Sequence, residues 1–359
     1  MRMPWYDPTR TYEENYAEGP FGDLGFDCDN RGEPAYDFLG FKVNLPFGIP
    51  AGPLVNSRFI AAAFKSGFDI NVYKTVRTRA KSANEWPNIL PIDVQGDLTL
   101  EKAKKGLVVK REFTHPLAIT NSFGNPSFPV DIWQKDIATL VASAQTRPGQ
   151  LVLGMIEGTY WNSTDTEEDF VNDWVLAARL MQETGVHGIE ANFSCPNEGD
   201  RVKRLLCFNT EKSQTIVDAM KNKIGNTPLV VKISYFENEQ DLRDLVQKIG
   251  GLVDGISAIN TIPAPVYKEN GTQALPGGPW RLKSGICGAP IKWAGLDMVR
   301  RLKKLREEFG MKFFITGVGG VMSAADYDEY RNAGADAVMS ATGAMWNAHL
   351  AQEIKSRHS

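Results

Sequence analysis

The fold class that this chain predicts is a (β/α)8 barrel with insertions on one face and an N-terminal extension. From residue 41 onward, short apolar runs suited to buried parallel strands alternate with amphipathic stretches. Eight such strand–helix units fit along the chain, and glycine-rich turns follow the last two runs. A length of 359 residues accommodates one large barrel.

The expected strands are "FGIPA" (47–51), "INVYKT" (70–75), "LVLGMIE" (151–157), "GIEANF" (188–193), "LVVKI" (229–233), "GISAIN" (255–260), "FFITG" (313–317) and "AVMSA" (337–341). Amphipathic helices are expected between them, from "SRFIAAAFKSG" to "AADYDEYRNAG", with "GAMWNAHLAQEIKS" as one closing helix. Thr164 with Glu167 reads as a capping box, and Ser323 as the cap of the seventh helix. Gly67, Gly185, Gly310 and Gly334 read as helix stops. The rival fold, a doubly wound open sheet, would place a glycine-rich nucleotide loop after the first strand, and none is present.

Two insertions interrupt the alternation, at 76–129 and 261–290. Both follow strand C-termini, so both are expected on the active face. Residues 1–40 form an extension to the barrel domain, 41–359. The extension carries Trp5, Tyr6, Tyr12, Tyr16, Phe21, Phe26, Tyr36 and Phe38. That is too aromatic for a solvated tail, and packing on the barrel or on a partner subunit is expected.

A formal net charge of -3 gives no general attraction to nucleic acid. Cys28, Cys195, Cys207 and Cys287 show no metal-ligand spacing and no disulfide framework, so no metal is expected. The first residues lack the apolar core of a signal peptide, and no run approaches the roughly 18 apolar residues of a membrane span. A cytoplasmic protein without membrane partners is the expectation.

The chemistry collects at the strand ends. "TGVGG" (316–320) and "SATGA" (340–344) each lead into a helix, the usual place for phosphate in a barrel. The plain alternative is a tight turn that needs glycine for its backbone angles. A phosphate site suits a sugar phosphate or FMN. Lys74, Lys232, Asn121, Asn192, Asn197 and Asn260 all fall on the active face and favour a flat, hydrogen-bonding heterocycle. A lysine inside "LVVKIS" needs an anionic partner, either a flavin edge or an ion pair within the barrel.

Taken together, "AGP", "YKT", "NSFGNPS", "NFSCPN", "SGICGAPIK" and "TGVGG" resemble the dihydroorotate dehydrogenase family over about residues 41–350. The resemblance implies an FMN-dependent barrel that oxidises dihydroorotate to orotate in pyrimidine biosynthesis. It implies Cys195 as catalytic base, as in the family's soluble, cysteine-bearing classes. Asn121, Asn192, Asn197 and Asn260 would hydrogen-bond the pyrimidine, and Lys74 would lie near the substrate carboxylate and the flavin. Ser122, Phe123, Gly124 and Thr261 would also touch substrate. Lys232 would sit at the flavin ring. FMN contacts would come from Ala51, Gly52, Thr75, Gly285, Gly319, Gly320, Ala341 and Thr342, besides Lys74 and Asn192.

The segment 194–209, with "RVKR" at 201–204, reads as a lid carrying Cys195, and Cys207 as lid packing. Cys287 reads as a small residue in a tight turn. Three features depart from the family pattern: Asn125-Pro126, Ala341, and the pair Ser284 and Cys287. A dihydrouracil-type dehydrogenase domain, a redox-free aldolase or isomerase barrel, and a barrel that only binds ligand stay open as alternatives. The resemblance also implies a homodimer, with fumarate, or NAD through a partner subunit, as oxidant.

Overall fold

Eight short runs of buried residues pair edge to edge and close on themselves. In this computed structural model, which describes residues 5–22, 33–144, 148–195 and 205–358, the barrel strands are β1 (Phe47–Ile49), β2 (Ile70–Val76), β3 (Leu151–Ile156) and β4 (Gly188–Asn192). They continue as β5 (Leu229–Ile233), β6 (Gly255–Ala258), β7 (Phe314–Val318) and β8 (Ala337–Met339). Each pairs in parallel with the next in chain order, and β8 closes on β1. These are the eight expected runs.

The helices are α1 (Ser57–Lys65), α2 (Val130–Ala144), α3 (Glu167–Gln182) and α4 (Thr210–Ile224). Then follow α5 (Glu239–Ile249), α6 (Lys292–Glu308), α7 (Ala324–Ala333) and α8 (Leu350–His358). Ser323 caps α7 by accepting from the Asp326 N–H. Gly67, Gly185, Gly310 and Gly334 all take positive φ where helices end.

Two local expectations need correction. The box on α3 is Thr166 with Asp169, not Thr164 with Glu167. Asp165 spends its carboxylate on the N–H groups of Trp161 and Asn162, which holds the chain in a turn until Thr166. The closing helix is also two pieces, Thr342–Trp346 and α8, with the chain breaking at Asn347.

Along the barrel strands the alternate residues change character with height. Ile70, Val72, Leu151, Leu153 and Val230 are apolar and join one buried cluster. In the same alternation, Lys74 and Lys232 stand higher on β2 and β5, and Glu157 just past the end of β3. An antiparallel hairpin, Tyr36–Phe38 with Phe41–Val43, adds Phe38, Leu39 and Val43 to the lower cluster. The N-terminal mouth is thus filled with apolar side chains, and the polar ones gather at the C-terminal mouth.

Both insertions contribute to one further sheet. Ala118–Asn121 pairs with Lys283–Gly288, which pairs with Ile262–Tyr267, which pairs with Leu107–Val108. The N-terminal segment 5–22 lies across the same end of the barrel. Its helix, Tyr12–Glu18, carries a Thr11–Glu14 capping box. Trp5 donates its backbone N–H to the Met345 carbonyl at 3.0 Å, and the Tyr16 ring packs tilted against Phe128 with centroids 4.1 Å apart. No helix among the described residues is long and apolar enough to cross a membrane.

Closure between β1 and β2 demands a glycine. Gly48 pairs with Ile70, and a Cβ there would stand 1.5 Å from the Ile70 carbonyl oxygen. Gly48→Ala is therefore expected to destabilise the fold by about 3 kcal/mol, read as a lowered urea midpoint.

Candidate active site

A cavity opens at the C-terminal mouth of the barrel, and every layer of the fold supplies part of its wall. Ala51 and Gly52 follow β1, Lys74 and Thr75 lie on β2, and Asn192 ends β4. Lys232 comes from β5, and Asn260 and Thr261 follow β6. Gly319 and Gly320 follow β7, and Ala341 and Thr342 follow β8. Asn121, Phe123 and Asn125 come from the first insertion, Cys287 from the second, and Tyr6 and Tyr12 from the N-terminal segment.

Neighbouring residues of a regular strand face opposite ways, yet Lys74 and Thr75 both line the cavity. The pairing of β2 with β3 shifts register between Tyr73 and Val76, and this irregularity permits both orientations.

One wall suits a flat ring carrying a phosphate. Gly52, Gly319 and Gly320 have φ of 140°, 124° and 68°. A Cβ at Gly52 would meet no atom within 4 Å, so the space before that backbone is open. A Cβ at Gly320 would press on the Lys292 backbone at 2.6 Å, so the turn requires glycine on both steric and conformational grounds.

Lys232 is buried, and burial lowers its pKa while Glu190 pulls it back up. Lys74 is buried too. Its ammonium donates to the carbonyls of Pro126 (2.6 Å) and Thr75 (3.2 Å) and lies 5.3 Å from the Tyr12 ring centroid. Desolvation, with repulsion from Arg77, lowers its pKa to about 7, and Glu157 offsets part of that.

The polar floor is one connected network. Arg77 and Glu157 form an ion pair at 2.7 Å with side chains 1% and 0% exposed. Glu157 also accepts from the side-chain amides of Asn192 (3.2 Å) and Asn125. Asn125 donates as well to the Cys195 sulfur at 3.0 Å. Ser194 donates to Asn192 Oδ1 at 3.1 Å and accepts from Asn260 Nδ2 at 2.9 Å. Cys195, three residues beyond the end of β4, is itself buried.

Four of the expected site residues do not line the cavity: Cys195, which reaches it through Asn125, and Ser122, Gly124 and Gly285. Ser122 accepts from the buried Arg281 through both its hydroxyl and its carbonyl. Gly124 backs onto Asn84, and Gly285 pairs with Asn121 and backs onto Thr261. Asn197 and "RVKR" lie outside the described residues, as does most of the segment expected to be a lid. Cys207, at its far end, is fully buried and donates its backbone N–H to the Phe193 carbonyl.

Cys287 is not in a tight turn. It lies in the strand Lys283–Gly288, opposite Ile119 and close enough to Lys232 for their charges to interact. Burial pushes its thiol up to about 12, with Lys232 pulling the other way, so it stays protonated near neutral pH.

Sequence reasoning missed Arg77, Glu157 and the cavity-facing role of Asn125. Glu157 did carry a signal: it is the one charge at the end of the apolar run "LVLGMIE". Removing that carboxylate leaves Arg77 charged and buried. Glu157→Ala is expected to cost about 3–5 kcal/mol of stability, measured by urea unfolding of the purified protein.

The sequence profile described as "Dihydroorotate dehydrogenase" matches residues 35–357. A protein of Dictyostelium discoideum, "Dihydroorotate dehydrogenase", is 34% identical, the match covering 98% of this chain and 97% of the relative. "Dihydroorotate dehydrogenase B (NAD(+)), catalytic subunit" of Thermodesulfovibrio yellowstonii is 25% identical over 75% of this chain and 82% of its own. The crystal structure of an Eimeria tenella enzyme, solved with ferulenol, superposes with a TM-score of 0.68 at 18% identity. It covers 92% of this chain and 85% of that one, a likeness of fold. A match of that extent, on a barrel whose strand ends carry this cavity, sets aside the redox-free alternatives: the chain belongs to the dihydroorotate dehydrogenase family, FMN-using oxidoreductases that act on CH–CH groups.

Proposed function

We propose that this chain oxidises (S)-dihydroorotate to orotate with Cys195 as the base. The observation that carries the reading is the hydrogen bond from Asn125 to the Cys195 sulfur, at 3.0 Å, beside the cavity lined by Asn121, Asn192 and Asn260. Gly52, Thr75, Gly319, Gly320 and Thr342 would hold FMN, which when bound would supply the two-electron acceptor. Lys232 would serve its electron-rich edge, for which a buried cation is suited.

The asparagines hold the pyrimidine ring, each amide offering a donor and an acceptor to an edge that alternates N–H and C=O. Asn197 belongs to this set on the strength of the motif. Lys74 holds the substrate carboxylate. Cys195 takes the proton from C5. Asn125 fixes the sulfur's position and offers it a hydrogen bond when it carries charge. Cys287, kept as a thiol, is not the base.

We read the oxidant as a water-soluble one. The exposed face of the N-terminal helix consists of Glu13, Glu14, Ala17 and Glu18, and an acidic face is unsuited to anionic lipid.

Anaerobic mixing with dihydroorotate tests the base. In Cys195→Ser, bleaching of the flavin should slow by about 100-fold or more at neutral pH, with a smaller deficit at high pH. Parental rates in that variant would falsify the assignment, and bleaching by dihydrouracil instead would change the substrate. Reoxidation by fumarate, NAD or quinone then identifies the oxidant.

Lys74 gives a second test. With a pKa of about 7 it is mostly neutral at pH 8, and a carboxylate bound beside it draws a proton on. Orotate binding at pH 8 should therefore take up nearly a full proton. The uptake should vanish well below pH 7, where Lys74 is already charged, and affinity should fall as pH rises above 7. Calorimetry in buffers of different ionisation enthalpy measures the uptake, and Lys74→Met should abolish it.

A further inference from the structure

Inside the barrel, next to Lys232, stands a carboxylate that the mechanism does not use. β4 and β5 pair with Glu190 opposite Val230 and Asn192 opposite Lys232. Val230 belongs to the apolar cluster in the lower barrel, and side chains two residues apart on a strand share a face. Glu190 therefore points inward, one step below Asn192 and diagonal to Lys232. Strand spacing and rise put the Cα atoms of such diagonal neighbours roughly 8 Å apart, within reach of two long side chains.

The flanking strands bring no other charge to this level: β3 places Met155 beside Glu190, and β6 places Ser257 beside Lys232. Glu190 is 1% exposed, and its Oε2 has no hydrogen-bond partner among the described residues. A carboxylate buried beside Met155 and Val230 is costly without an opposite charge. Lys232, equally buried, is the cation next to it. Desolvation lowers the pKa of this lysine, attraction to Glu190 opposes that, and Cys287 adds a smaller pull in the same sense as Glu190. Lys232 thus has a counter-ion inside the barrel and still lines the cavity.

We propose that Glu190 is a positioning residue: as the counter-ion of Lys232 it holds that lysine charged for the electron-rich edge of FMN, and so raises the potential of the bound cofactor. This rests on the place given above to Lys232. Reduction adds negative charge to that edge, and a cation beside it favours the reduced form. Without Glu190, burial takes the charge off the lysine at mildly alkaline pH.

The experiment is spectroelectrochemical titration of the FMN-loaded protein at pH 8, comparing the parent with Glu190→Gln, Glu190→Asp, Lys232→Met and the double variant Glu190→Gln/Lys232→Met. Glu190→Gln keeps the shape and removes the charge. It should lower the midpoint potential by about 30 mV or more, a tenfold loss of preference for the reduced form in a two-electron couple. Glu190→Asp keeps the charge and should stay closer to the parent than Glu190→Gln does, whereas a role in packing alone gives the opposite order. On the Lys232→Met background Glu190→Gln should lower nothing, since the lysine it acts through is gone. An unchanged or raised potential in Glu190→Gln overturns the inference, as does the opposite order of Asp and Gln, or an equal fall with and without Lys232. The Asp and Gln comparison needs no change at Lys232, so it decides the matter even where Lys232→Met does not retain FMN. If Lys232→Met has the parent's potential, the place given to Lys232 fails and this inference with it. A fall in Lys232→Met with none in Glu190→Gln removes Glu190 alone.

Discussion

Arg77 and Glu157 put opposite charges where almost no solvent reaches, and the arrangement of the active face follows from how that pair is satisfied. Two ions taken out of water hold together only when their remaining hydrogen-bonding groups also find partners. Glu157 draws in the amides of Asn125 and Asn192. Arg77 draws in the Asn125 carbonyl and the Thr159 hydroxyl, while its own carbonyl takes the Trp133 indole N–H from α2. Asn125 is thus gripped at both ends. That grip accounts for a non-glycine residue held at φ 48° and aims its amide at Cys195. Asparagine tolerates this conformation better than most residues, which gives the departure at Asn125 a physical basis.

The accessory sheet supplies a second constraint. A loop as polar as "TNSFGNPS" needs partners for its backbone. The strand Lys283–Gly288 pairs with Ala118–Asn121, and Arg281 bonds Ser122 while also reaching the carbonyls of Glu85 and Pro276. Ser122 and Gly285 therefore act on the cavity through Asn121 and Phe123, which they help to position. Two stretches that interrupt the chain at distant places form one structure, because each lacks a complete set of backbone partners alone.

The barrel is legible in the sequence because a strand buried on both faces leaves an uninterrupted apolar run, and eight such runs with helices between them admit few folds. Lys74, Asn192 and Lys232 are legible for the same reason: a polar residue at the end of such a run has to be explained. Glu157 offered the same signal and was absorbed into its strand. Arg77 was hidden by the insertion that starts beside it. The cap of α3 was misplaced by two residues, since Thr164 and Thr166 both precede acidic residues at the right spacing and only the Asp165 turn separates them.

What the sequence alone determined is local and periodic: which segments become strands, which turns need glycine, and which polar residues must reach the C-terminal mouth. Tertiary structure decided whatever depends on partners distant in the chain. It brought Arg77 to Glu157, Asn125 to Cys195, one insertion to the other, and the tyrosines of the first dozen residues to the cavity. Periodicity tells which way a side chain points from its own strand, but the partner it meets there depends on how the barrel closes.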